Sequence, residues 1–277
     1  MIKSIIQKIS IVIFICVLVY IPFLGVLYSL QHKIIYHPNP IKPDIANIQK
    51  EIADIREVNY SLPDGKQVYG WYLKSNKTPK VIVFFHGNTG NLEYNSKQLH
   101  FFKKLGYSVF MPEYQGFGGI KGNLRQSELE QDAKTALLWL LSKGYKPKDI
   151  IIYGHSLGTY IALFATSFMQ SENKDVSAVI LEAPFYSLIN MGQNMFGNLI
   201  PLNWLLKDKF PSMELIKTIK TPIYIGHGKQ DSVIPYEQGL MLFEDAKHPK
   251  TFFSSDTANH NTLPEEGFID TILAPLK

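Results

Sequence analysis

Cysteine is almost missing from this chain: Cys16 is the single one in 277 residues. That excludes an intramolecular disulfide framework and a multi-cysteine metal site. A dominant charge is missing too. Lys and Arg number 28 against 24 Asp and Glu, for a net charge of +4. With no long run of like charges, nothing points to nucleic acid as a partner. Charged residues are only 19% of the chain and apolar residues 45%, which excludes a disordered chain and suffices for a large core. HExxH and P-loop signatures are absent, as are internal repeats, so neither a metal nor a nucleotide cofactor is expected.

What is present begins at the amino terminus. No charged residue occurs from Ile9 to Leu30. As a helix this stretch spans roughly 30 Å, one hydrocarbon core. Lys3 and Lys8 flank it on one side and Lys33 on the other. The stretch predicts an uncleaved single-pass anchor over residues 1–32. The competing reading is a cleaved secretory signal, which shares the charged start. It fits less well, because the apolar run is long and no small-x-small site follows cleanly. Lys33, Lys42 and Lys50 balance Lys3 and Lys8, so the side of the membrane stays open. Residues 33–56, with the Pro-punctuated His37 to Pro43, read as an extended linker.

From 57 to 277 one domain is expected, in which strands and helices alternate. Val58 to Leu73 reads as a hairpin turning at Pro63-Asp64-Gly65. Short continuous apolar runs at Val81 to Phe85, Tyr107 to Met111, Asp149 to Tyr153, Val176 to Leu181 and Thr221 to Ile225 suit strands buried on both faces. A further strand is expected at Lys250 to Ser254. Helices are expected at Asn95 to Leu105, Gln126 to Ser142, Ser156 to Met169, Glu237 to Ala246 and Glu265 to Leu273. Alternation of this kind implies an α/β fold, a mostly parallel sheet with helices on both faces. Ligands of such sheets bind beyond the carboxyl ends of the strands.

At one such end, Gly154-His155-Ser156-Leu157-Gly158 matches G-x-S-x-G between a buried strand and a helix. In that context Ser156 is the candidate nucleophile, and the glycines remove side chains that would collide with neighbouring backbone. A serine hydroxyl needs a base. Of the downstream histidines, His248 precedes its strand and lies at the wrong end of the sheet. His227 precedes the best acid in the chain, so chain order disfavours it. His260, after the last strand, is the candidate base. Asp231 is the candidate orienting acid, with Glu182 the runner-up and Asp256 too near its strand end. The N–H groups of Leu157 and Asn88, the latter in the loop His86 to Asn91, are the candidate oxyanion donors.

These residues carry a resemblance. FFHGNTGN (Phe84 to Asn91), PEYQGFGG (Pro112 to Gly119), GHSLG, LEAPF (Leu181 to Phe185), HGKQDSVIP (His227 to Pro235) and ANHN (Ala258 to Asn261) resemble the α/β-hydrolase superfamily from about Glu57 to Lys277. The chain looks most like the membrane-anchored α/β-hydrolase domain proteins of the bud-emergence type and their bacterial relatives. The resemblance implies a Ser156-His260-Asp231 triad. Relatives usually show Asp-Tyr-Arg-Gly where this chain has Glu113-Tyr114-Gln115-Gly116. Some relatives remove palmitate from proteins. The expectation is a membrane-anchored serine hydrolase of carboxylic esters or thioesters, with a lipid or lipidated protein as a fitting substrate. The alternatives are a serine peptidase of the same fold and a non-catalytic membrane adaptor. The segment 185–220 is the candidate lid, and Met191, Met195, Phe196, Leu199, Ile200, Trp204 and Leu205 make it apolar.

Overall fold

The computed structural model describes residues 2–277. The chain opens with helix α1 (Ile2–Ile35), a two-residue strand β1 (His37–Pro38) and a short helix α2 (Ile45–Gln49). The hairpin β2 (Ile55–Ser61) and β3 (Gln67–Leu73) follows, then β4 (Val81–Phe85) and the two-residue β5 (Thr89–Gly90). Alternation sets in with α3 (Lys97–Leu105), β6 (Ser108–Pro112), α4 (Gln126–Ser142), β7 (Ile150–His155), α5 (Leu157–Ser171) and β8 (Ala178–Glu182). Three helices, α6 (Leu188–Phe196), α7 (Leu202–Leu205) and α8 (Ser212–Ile216), precede β9 (Ile223–Gly228). The chain closes with α9 (Tyr236–Asp245), β10 (Lys250–Ser255) and α10 (Phe268–Leu273).

Eight strands form one sheet in the order β10-β9-β8-β7-β4-β6-β3-β2. Pairing is parallel from β10 to β6, and the β2–β3 hairpin is added antiparallel at the far edge. Every residue of β4, β6 and β8 is buried, as continuous apolar runs require of strands covered on both faces. Alternate residues feed two cores. Val81, Val83, Phe85, Ile150 and Ile152 pack against α4 and α5. Ile82, Phe84, Ile151 and Tyr153 pack against α3 and α10. After β4 the chain goes to β6 on one side and returns to β7 on the other. The loops leaving β4 and β7 therefore diverge, and a crevice opens above them. This is the α/β-hydrolase architecture that the resemblance implies.

Three segments differ from the sequence reading. The expected linker 33–56 is largely structured. α1 runs on to Ile35, β1 pairs with β5, and α2 is capped by the Asp44 side chain on the Ala46 N–H. Prolines that bar helix still allow the extended pairing seen here. The final helix is interrupted: Leu263–Glu266 is a 3₁₀ turn, and Gly267, at φ +87°, separates it from α10. The expected lid 185–220 divides. Phe210, Ile216 and Ile219 are fully buried in the main core, so only α6 and α7 form a cap.

The departure at Gln115 also gains a structural account. Gln115 is buried, and its backbone and side-chain N–H groups donate to the two oxygens of Asp132 at 2.9 and 3.1 Å. Burial pushes the Asp132 carboxyl up to about 7, against the hydrogen bonds from Gln115. A carboxyl whose pKa is higher folded than unfolded opposes folding as pH rises. Its contribution is most favourable below about pH 4, where both states are protonated, and is lost as pH climbs through the folded value. Asp132→Asn is expected to remove that dependence. Its stability relative to the native chain should rise by up to about 4 kcal/mol between pH 4 and pH 8. Urea midpoints of detergent-solubilised protein measure this, and parallel pH profiles for the two chains would refute it.

Candidate active site

The site starts from a turn that only a crowded backbone explains. β7 ends at His155, α5 begins at Leu157, and Ser156 between them sits at φ 54°, ψ −122°. A serine pays for that conformation, and the surroundings enforce it. Its N–H donates to the Glu182 carbonyl at 2.9 Å, and its own carbonyl accepts from the Thr159 N–H at 2.9 Å and the Thr159 hydroxyl at 2.6 Å. A β-carbon on Gly154 would collide with the Gly158 carbonyl, and one on Gly158 would collide with the Phe85 carbonyl. Strand, turn and helix thus touch backbone to backbone, and the Ser156 hydroxyl is lifted above the sheet.

Ser156 Oγ lies 3.0 Å from His260 Nε2, and His260 Nδ1 lies 2.7 Å from Asp231 Oδ2. An ionised carboxylate only accepts, so Nδ1–H is the donor to Asp231 and Nε2 is left to accept from the serine hydroxyl. Asp231 Oδ1 accepts the N–H groups of Val233 and Ile234, both at 2.8 Å. The side chain is fully enclosed. Burial pushes its pKa up, but hydrogen bonds from His227, His260 and the Ile234 amide outweigh that and hold it well below the ordinary carboxylate range.

The other candidates do not meet Ser156. His227 is buried, and its one Nε2–H is shared between the Ile234 carbonyl at 3.0 Å and Asp231 Oδ2 at 3.3 Å. It braces Asp231 and does not reach Ser156 Oγ by a hydrogen bond. Asp256 is at the surface, paired with Lys229 at 2.6 Å. Glu182 is buried and accepts from the Tyr153 hydroxyl at 2.5 Å. Burial raises its pKa, against the nearby His155 and the Tyr153 hydrogen bond. His248 precedes β10, at the opposite end of the sheet.

Two supporting groups escaped the sequence reading. His155 Nε2 lies 3.1 Å from the His260 carbonyl, so its N–H ties the loop of His260 to the elbow. Desolvation lowers its pKa and favours the neutral ring, against the charge of Glu182. Its only signal was adjacency to Ser156. His86 and Glu113 form a fully buried pair at 2.9 Å beneath the loop after β4. Glu113 also accepts the Leu92 N–H at 3.0 Å, which fastens both ends of that loop. Both residues lay within the quoted motifs, but no local pattern paired them.

Asn88 and Leu157 line the same cavity as Ser156. Leu157 is the first residue of α5, so its N–H has no carbonyl one turn back to bond. Asn88 is fixed on its other side: its carbonyl accepts from the His37 N–H at 2.8 Å and its side-chain amide donates to the Ile35 carbonyl at 2.7 Å. The cavity measures about 290 Å³, near the lower end for small-molecule sites. Its walls are apolar: Phe185, Leu188, Met191, Met195 and Phe196 come from the cap region, and Val233 and Ile234 from the loop after β9. No Asp, Glu, Lys or Arg lines it. Among the described residues, no group of three His, Cys, Asp or Glu side chains is placed to hold a metal ion.

A family model described as serine aminopeptidase, S33, matches residues 76–218. That span carries Asn88, Ser156 and Leu157 and stops before Asp231 and His260. An uncharacterised protein of Mycobacterium tuberculosis is 27% identical over 238 residues, covering 85% of this chain and 82% of that protein. The human protein ABHD12B is 33% identical over 184 residues, 61% of this chain and 50% of its own length. Among solved structures, an esterase of Pyrococcus furiosus superposes with a TM-score of 0.66 at 20% identity, covering 87% of this chain and 97% of that one.

The close backbone contacts at the elbow give a test of the local packing. Gly158→Ala is expected to cost about 3 kcal/mol or more, because the colliding atom is backbone and cannot rotate away. Thermal or urea unfolding measures the loss, and an unchanged midpoint would contradict the packing described.

Proposed function

Starting from a chain that belongs to the serine aminopeptidase, S33, family of α/β hydrolases, we propose a membrane-anchored serine hydrolase that cleaves carboxylic esters or thioesters with apolar acyl groups. The observation that carries this reading is the unbroken Ser156–His260–Asp231 hydrogen-bond chain at the edge of an apolar cavity. In the proposed mechanism Ser156 Oγ attacks the acyl carbonyl while His260 Nε2 takes its proton. The N–H groups of Leu157 and Asn88 hold the oxyanion, and Asp231 stabilises the imidazolium. The carbonyl re-forms, the C–O or C–S bond breaks, and His260 gives its proton to the leaving alcohol or thiol. Water then attacks the acyl-enzyme, His260 takes its proton, and the carboxylic acid leaves with Ser156 restored.

The family description also names a peptidase, and the P. furiosus structure an esterase. The cavity lining favours the ester. An aminopeptidase must hold a substrate ammonium, for which a carboxylate is the natural partner. The lining contains none.

The anchor is part of the proposal. α1 is 34 residues long, and none of its most apolar window is buried against the rest of the chain. Ile13, Phe14, Val19 and Ile21 are each more than half exposed. A segment apolar on all sides and bare of protein is suited to a lipid surround, which supports the anchor. Retention of α1, as opposed to its removal as a signal, is supported by Gln31. This residue is buried and bonded to Leu205 and Lys207.

Ser156→Ala is expected to lower p-nitrophenyl ester turnover by on the order of 10⁴ or more and to abolish fluorophosphonate labelling of folded protein. Asp231→Asn should lose on the order of 10⁴ in kcat while labelling persists more slowly. Full activity in Ser156→Ala would remove that residue from the mechanism. The full-length chain should stay with membranes after carbonate washing, and its release into the supernatant would refute the anchor.

A further inference from the structure

The helix that reads as a tether also lines the cavity beside the nucleophile. Leu27, Gln31, Ile34 and Ile35 form part of the cavity that contains Ser156. Spacings of four and three place them on one face of α1. Met191 and Met195 of α6 and Leu202 and Leu205 of α7 line the same cavity. Without α1 the cavity would lose a side.

The junction of helix and domain is built with hydrogen bonds as well as contact. The Gln31 amide donates to the Leu205 carbonyl at 3.2 Å, and its oxygen accepts the Lys207 N–H at 2.7 Å. The last carbonyl of α1, that of Ile35, accepts from the side chain of Asn88. One end of the helix is thus bonded to the residue proposed as an oxyanion donor. Further along α1, the Tyr20 hydroxyl donates to the Leu199 carbonyl in the cap. The cap itself exposes large apolar side chains: Met195 and Leu199 are more than 70% exposed and Trp204 is 89% exposed. Soluble surfaces seldom present such a group together. The cap and the bare face of α1 make one apolar exterior, and the cavity runs between these two elements.

We propose that α1 is a wall of the acyl-binding site, and that its ligand is the fatty acyl chain of an ester or thioester held in the bilayer, bound between α1 and α6–α7. This rests on the serine-hydrolase reading above. The anchor then acts on specificity as well as on location, since the side chains at 27 and 34 set how long a chain fits.

The test uses full-length protein in lipid nanodiscs and the variants Leu27→Trp and Ile34→Trp, with Phe14→Trp as a control on the bare part of α1. For both wall variants, the ratio of kcat/KM for a dodecanoyl ester to that for a butyryl ester should fall at least tenfold. Phe14→Trp should keep the native ratio. An alkyl fluorophosphonate with a diazirine near the chain terminus provides a second readout. Attached to Ser156 and photolysed, it should cross-link within residues 27–35 or 188–206. Unchanged ratios in both wall variants, or cross-links confined to other segments, would overturn the proposal while labelling of Ser156 kept the hydrolase reading intact. No labelling and no ester turnover in the native protein would overturn both. Dodecanoyl glycerol ester in vesicles and an S-dodecanoyl cysteine peptide distinguish the source of the chain, and turnover of either supports the proposal. Short soluble esters cleaved with neither of these touched would refute the fatty acyl ligand.

Discussion

The contact of the Phe85, Gly154 and Gly158 backbones above the sheet is the constraint on which the site depends. β4 and β7 are neighbours, so the loop after β4 and the elbow after β7 emerge side by side. Glycine at 154 and 158 lets helix α5 come down close to β4, which brings the N–H of Leu157 and the loop of Asn88 into one cavity. A larger residue at either place would push helix from strand, and Ser156, the Leu157 N–H and the loop of Asn88 would separate together. The strained serine is thus a consequence of packing, held by the hydrogen bonds of Glu182 and Thr159 to its backbone.

Beneath that surface lies a layer of buried polar groups. His86 with Glu113, Tyr153 with Glu182, and His227 with Asp231 are all enclosed, each near the carboxyl end of a strand. Buried polar groups are costly unless partnered, and partners fix one geometry. This gives each loop its own fastening. Glu113 holds the loop of Asn88, His155 holds the loop of His260 through the His260 carbonyl, and two backbone amides with His227 hold Asp231. Asp231 stays ionised because these donors outweigh its burial, which suits the role proposed for it, opposing a transient imidazolium.

The elements legible in sequence were those whose signal is local. β4, with five apolar residues in a row, and α4, bounded at Gln126 and Ser142, follow from patterning alone. The meeting of Ser156, Asp231 and His260 was legible because strand order in a parallel sheet dictates which loops share an end. The rest depended on contacts remote in sequence. Nothing near Pro38 announces its pairing with Gly90, and nothing in the segment around Phe210 separates a cap from a core strut. His155 looked like the variable position of a motif. Composition marks α1 but is silent about Gln31, whose partners lie more than 170 residues away.

The proposed acyl site, walled by a membrane helix, would have its own energetics. A chain taken from water into an apolar cavity gains about 0.8 kcal/mol for each methylene buried. A chain taken from bilayer hydrocarbon gains almost none of this, because it leaves one apolar medium for another. Hydrophobicity then cannot rank substrates by length. Selectivity at the proposed site would come from shape, from how the chain terminus meets Leu27, Ile34 and the cap methionines. The flexible thioethers of Met191 and Met195 suit that task, since they fill irregular space around chains that differ in length. In the proposed site, what the membrane would supply in place of binding energy is proximity. A substrate confined to the bilayer would already be concentrated beside the entrance, and a helix shared between lipid and cavity would let the ester reach Ser156 without its chain crossing water.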